Sequence, residues 1–219
     1  MRWAESKSVG GVSEVTLLTP INPGPIPGEG RTYEQRLRAA LASVQRRIEQ
    51  GVPTVIGSVP TIHFARWLIL RPEQYLQLSE QTPVPKHRSW LFFASNFDGD
   101  MKSYLRDFSV FLGRDVDRIW GNCEGYPKVG SRDFEEFWNY AKRYQIPTDA
   151  FYNAYPGLSV PRIHQLDRFK RKLDEFVART RGADGRSVAG LAALFDEFLS
   201  ENSAYPRDFP AIGGLYPNP

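Results

Sequence analysis

Residues 91–100 read LFFASNFDGD. An apolar, aromatic run of the kind that forms strands stops at an amide, and two carboxylates flank a glycine before the helix-like stretch MKSYLRDFSVF. This join decides the fold, because a buried strand must pass directly into an amphipathic helix. Asp98 and Asp100 have two readings there. As a D-x-D pair they offer two of the oxygen ligands that Mg²⁺ or Ca²⁺ requires. As single carboxylates they accept from free N–H groups at a helix start and complement its dipole. An EF-hand would place a further ligand and a Glu where the chain has Lys102 and Ser109. Capping is therefore the expected role, with Asp98 and Asp100 kept as metal candidates.

Upstream lies TIHFARWLIL, residues 61–70, β-branched and aromatic and stopped by Arg71-Pro72. Before that, Thr32 and Gln35 have capping-box spacing, and Leu37, Leu41, Val44 and Ile48 lie on one helix face that ends at Gly51. EVTLLTPI, residues 14–21, is the first strand expected, followed by the Pro- and Gly-rich loop NPGPIPGEG. Downstream, 113–131 reads as irregular, 131–144 as a helix and AFYNAYPG, 150–157, as a fourth strand. Ser159 and Pro161 then open a long helix, and a last helix spans 187–199.

The order predicts an α+β fold, a ferredoxin-like βαββαβ split with an insertion at about 113–146 before the last strand and extra C-terminal helices. Residues 1–13 read as an N-terminal arm, 14–200 as one domain and 201–219 as an extended tail. Both middle strands are apolar on both faces, so the sheet face away from the helices is expected to be covered by a partner, a ligand or the chain's own extensions.

The 219 residues, 41% hydrophobic and 13% aromatic, suffice for a substantial core. The net charge of +3 comes from 28 basic and 25 acidic residues spread along the chain, with no basic run, so nucleic-acid binding has no compositional support. One cysteine, Cys123, excludes an intramolecular disulfide. No apolar run approaches membrane-spanning length, and a soluble, cytoplasmic protein without direct membrane insertion is expected.

No HExxH, GxSxG, Walker or GxGxxG pattern is present. The groups with chemistry to offer are isolated ones. His63 sits inside an apolar strand, where a neutral imidazole serves as base, ligand or hydrogen-bonded core residue. Arg66, three residues on, needs a carboxylate such as Asp98 or Asp107, or else solvent or an anionic ligand. His164 lies in the first turns of the helix opened by Pro161. Tyr126, Tyr152 and Tyr155, with Phe151, are candidates to line a pocket for a flat ligand. Cys123, beside Glu124, reads as a packed thiol.

With this element order over roughly 14–176, and with TIHFARWLIL and LFFASNFDGD as middle strands, the chain resembles the dimeric α/β-barrel superfamily. That superfamily includes chlorite dismutases, dye-decolorising peroxidases and cofactor-free monooxygenases. The resemblance implies sheet-to-sheet pairing and a ligand cavity, with haem as a possible cofactor and His63 or His164 as its candidate ligand. NFDG, residues 96–99, lacks the first glycine of the GxxDG motif of dye-decolorising peroxidases.

Two functions are thus expected. One is a ligand-binding domain, with an oxidoreductase, haem-dependent or cofactor-free, as its catalytic form, using His63 and Arg66 on a flat substrate. The other is a non-catalytic assembly subunit whose open sheet face meets a protein partner or a second copy. The sequence leaves enzyme and binding module both open.

Overall fold

A computed structural model describes residues 5–52, 57, 59–75, 88–181 and 188–203. Its elements in chain order are β1 (Ser8–Val9), β2 (Val12–Pro20), α1 (Tyr33–Glu49), β3 (Ile62–Leu70), the short α2 (Pro72–Tyr75), β4 (Trp90–Asp98), α3 (Met101–Trp120), a 3₁₀ turn at Gly130–Arg132, α4 (Phe134–Tyr144), α5 (Val160–Arg181) and α6 (Val188–Glu201). The strands form one antiparallel sheet in the order β1-β2-β4-β3, so the fold is α+β. Residues 204–219 of the expected tail lie outside the described residues.

Local rules account for the elements. Thr32 and Gln35 close a reciprocal capping box on α1, Thr32 Oγ1 accepting the Gln35 N–H at 3.2 Å and Gln35 Oε1 the Thr32 N–H at 2.8 Å. Asp100 caps α3 by accepting the Ser103 N–H at 3.0 Å.

Odd-numbered residues of β2 and β4 face the helices. Val15, Leu17, Leu91, Phe93 and Phe97 are buried there under Leu37 of α1, Phe108 and Leu112 of α3, and Phe137 of α4. Phe97 stacks on Tyr104 at 3.9 Å between centroids. The Ser95 hydroxyl donates to the Phe64 carbonyl at 2.9 Å, so the Tyr104 hydroxyl is the donor across its 2.6 Å contact with Ser95. Burial holds the Tyr104 phenol well above its ordinary range.

Three expectations need correction. Residues 8–13 belong to the sheet: Gly10 and Gly11, with φ of +62° and +84°, make the two-residue turn from β1 into β2. The helix after Asp100 continues through Gly113 to Trp120, burying Leu112, Val116 and Ile119. Gly113 serves close approach, since a Cβ there would lie 3.3 Å from Ser131 Oγ.

Residues 150–157 form no strand. Beyond β1, the edge of β2 is met instead by isolated antiparallel bridges: Leu17 to Gln145, where the Ile146 N–H donates to the Thr16 carbonyl at 2.9 Å, and Ile21 to Cys123, where the Glu124 N–H donates to the Pro20 carbonyl at 2.8 Å. The described residues cover the outer sheet face only in part. Phe64 is 76% exposed and Arg66 and Leu68 are also exposed, because β3 is an edge strand with no described element laid over those positions.

Candidate functional site

The site begins with a defect in the sheet. Ile62 pairs with Phe97 and Phe64 with Asn96, so two steps along β3 match one along β4. His63 is the extra residue of this β-bulge, and bulges re-aim side chains. His63 Nε2 lies 2.8 Å from Asp98 Oδ1, at the end of β4. An ionised carboxylate only accepts, so Nε2 carries the hydrogen and, in the neutral ring, Nδ1 keeps its lone pair.

The second oxygen of Asp98 accepts the Val160 N–H at 2.8 Å, at the first residue of α5. Ser159 Oγ takes the Arg162 N–H at 3.3 Å. Sheet and loop together thus satisfy two of the four free N–H groups at this helix start.

The chain leading into α5 is pinned to the β1–β2 turn. The Gly157 N–H donates to the Gly10 carbonyl at 2.9 Å, and Asn153 Nδ2 donates to the Val9 carbonyl at 3.0 Å. Between this segment and the sheet lies a groove of about 630 Å³, lined by His63, Phe64, Phe151, Tyr152, Tyr155 and His164 among others. Tyr152 is 86% and Tyr155 71% exposed. Among the described residues, no lysine or arginine lines it.

The fold therefore gathers His63, His164, Tyr152 and Tyr155 around one groove, with Asp98 behind it holding His63. It does not bring in the other candidates. Arg66 lies exposed over the Phe92 ring, its guanidinium carbon 6.0 Å from the centroid, and neither Asp98 nor Asp107 pairs with it. Asp100 caps α3, and hydrogen bonds from Ser103 hold its carboxyl below the ordinary range. Among the described residues no group of three or more His, Cys, Asp or Glu is placed to hold a metal ion.

Tyr126 lines a separate cleft of about 510 Å³ together with Arg36 and Asp117. Its hydroxyl donates to Asp117 Oδ1 at 2.5 Å, and the same oxygen accepts the Ser131 N–H at 2.8 Å. Burial first, then that carboxylate, push the Tyr126 phenol far up, and Asp117 of α3 ties both Tyr126 and the 3₁₀ turn to the helix. Cys123 is buried, and burial pushes its thiol up to about 12.

Sequence reading missed the bulge that turns His63 to Asp98. It also missed the groove-lining role of Asn96, Leu158 and Ile163, which only the return of the chain from 151 to 164 creates.

Comparisons with protein-family models, with curated proteins and with solved structures find no match to this chain. No helix among the described residues is long and apolar enough to cross a membrane.

Proposed function

We propose that the chain is a ligand-binding domain on a ferredoxin-like split β-α-β frame, and that the groove beside His63 takes a flat, uncharged organic molecule. The frame is supported by the β2–α1–β3 crossover, by β4 between those strands, and by the Gln145 bridge at the position a fourth strand would occupy.

The groove's chemistry carries the ligand assignment. Phe64, Tyr152 and Tyr155 present exposed rings, two imidazoles supply the polar fixtures, and no lysine or arginine among the described residues lines the space. A mostly apolar lining with a few convergent polar groups is the usual make-up of a small-molecule site. His63, held by Asp98 with Nδ1 available, has the arrangement of a hydrogen-bond acceptor or general base toward a bound hydroxyl or N–H. Haem fits this lining less well. His164 offers an imidazole, but no lysine or arginine of the groove can meet the propionates, and Nε2 of His63 is already engaged.

The test is fluorescence titration of the full chain with 1-naphthol, and absorbance titration with haemin, each repeated on Tyr152→Ala/Tyr155→Ala and on His164→Ala. Saturable naphthol binding weakened several-fold by the tyrosine pair supports the reading. Absence of saturation, or binding indifferent to both variants, overturns it. A Soret band abolished by His164→Ala would replace the neutral ligand with haem.

A further inference from the structure

The free edge of the sheet is a second feature, independent of the groove. β3 lies at the end of the strand order, and none of its residues pairs with a strand other than β4 among the described residues. One hydrogen bond and the strand registers fix which of its groups are free. Thr16 sends its carbonyl away from β4, to the Ile146 N–H. Odd residues of β2 therefore bond odd residues of β4, and even residues of β4 bond β3. Phe64, Arg66, Leu68 and Leu70 are accordingly the hydrogen-bonded partners of β4. The N–H and C=O groups of Ala65, Trp67 and Ile69 point outward along the free edge.

Beneath that edge runs a groove of about 480 Å³ lined by Leu41, Val44 and Ile48 of α1 and by Trp67 and Ile69, with Arg38 and Gln45 among its polar lining. The Trp67 indole N–H is buried with no acceptor among the described residues. A nine-residue, mostly apolar edge strand with exposed Phe64 and Leu68 is a template for another strand.

We propose that two copies of this chain join by antiparallel pairing of their β3 edges about a twofold axis at Trp67, making one continuous sheet. The sequence of the strand disfavours the neighbouring register. An axis at Arg66 would set two guanidinium groups directly opposite each other, which is unfavourable. An axis at Trp67 sets Arg66 beside Leu68 of the second copy, Phe64 beside Leu70 and Ala65 beside Ile69. Each outward N–H and C=O of residues 65, 67 and 69 then meets its complement, and Ile48 and Val44 of the two α1 helices approach beneath the joined edges. A twofold contact uses one patch twice and closes, so pairing stops at the dimer. The joined edge also brings Leu70 of the second copy to Phe64, at the mouth of the ligand groove.

Sedimentation equilibrium of the full chain reads this directly. A dimer is expected, weakened about tenfold or more by Leu68→Lys, which faces Arg66 of the other copy, and kept or tightened by Leu68→Glu. Ala65→Pro, which removes an edge donor but no bond to β4, is expected to dissociate it. Arg66→Cys and Leu68→Cys chains are expected to cross-link under oxidation when mixed, and neither alone, since that non-hydrogen-bonded pair has disulfide spacing. A monomer at all concentrations, or a dimer indifferent to Leu68→Lys and Ala65→Pro, overturns the proposal. So does assembly only with a different protein. Circular dichroism of each variant separates loss of pairing from loss of fold.

Discussion

Asp98 divides its two oxygens between His63 Nε2 and the Val160 N–H, each at 2.8 Å. One carboxylate at the end of β4 thereby ties the bulge of the edge strand to the start of α5. Asp98→Ala leaves a half-buried imidazole without its acceptor and an uncapped helix N–H. The expected loss is about 1–3 kcal/mol, from one cap and one hydrogen bond. Asp98→Asn is expected to cost less, because its amide oxygen still accepts one of the two bonds. Urea unfolding with a shared slope measures both. Equal midpoints for wild type and Asp98→Ala would remove Asp98 from its clamping role.

The part of this site legible in the sequence was local. The capping box at Thr32 and Gln35, the cap at Asp100 and the helix start at Ser159 follow from side chains acting within a few residues, and each forms as read. The failures were all non-local. Gly113 reads as a helix stop until Ser131 is seen packed against it. AFYNAYPG has strand-like residues, but Asn153 and Gly157 spend their hydrogen bonds on Val9 and Gly10 rather than on a ladder. His63 was legible as unusual, yet the bulge that aims it is a property of two strands in register and is invisible in either one.

Gly10 is where the groove wall meets the sheet. Its φ of +62° suits glycine, and a Cβ there would come within 2.3 Å of Pro156 Cβ. Gly10→Ala must therefore strain the turn and push the 151–158 segment outward. A lower melting temperature and several-fold weaker naphthol binding are expected together, while Gly11→Ala, with open space around its Cβ, strains only the turn. Thermal melts and ligand titrations of both variants check this. Unchanged binding in Gly10→Ala would mean that the segment does not shape the groove.

The Cys123 thiol, pushed by burial up to about 12, stays protonated in the native protein at neutral pH. It is expected to resist a thiol-directed disulfide reagent until the chain unfolds. The linkage sign follows from the raised value. The folded state holds this proton more tightly than the unfolded chain, so its contribution to stability is whole below the unfolded pKa of about 9. That contribution is lost as pH climbs from there through the folded value. Midpoints of urea unfolding should fall over this alkaline window, less steeply in Cys123→Ala. Fast labelling at neutral pH in native buffer would contradict the buried state.

Two phenylalanines on neighbouring strands separate stability from binding. Phe93 is fully buried against Trp67, Phe108 and Trp120, with ring centroids 5.1, 6.0 and 5.2 Å away. Truncating it leaves a cavity among rings that α3 and β3 cannot readily close, at an expected cost of about 3–5 kcal/mol. Phe64 sits on the open face at the rim of the ligand groove, so Phe64→Ala removes little that the fold depends on. A change within about 0.5 kcal/mol is expected for it, as for other exposed substitutions. Its loss should appear instead as weaker naphthol binding, because a stacking surface has gone from the groove. Measured side by side by urea unfolding and titration, Phe93→Ala should move the first reading and Phe64→Ala the second. A Phe64→Ala chain that binds as well as wild type would shift the ligand away from the sheet and onto the tyrosine segment alone.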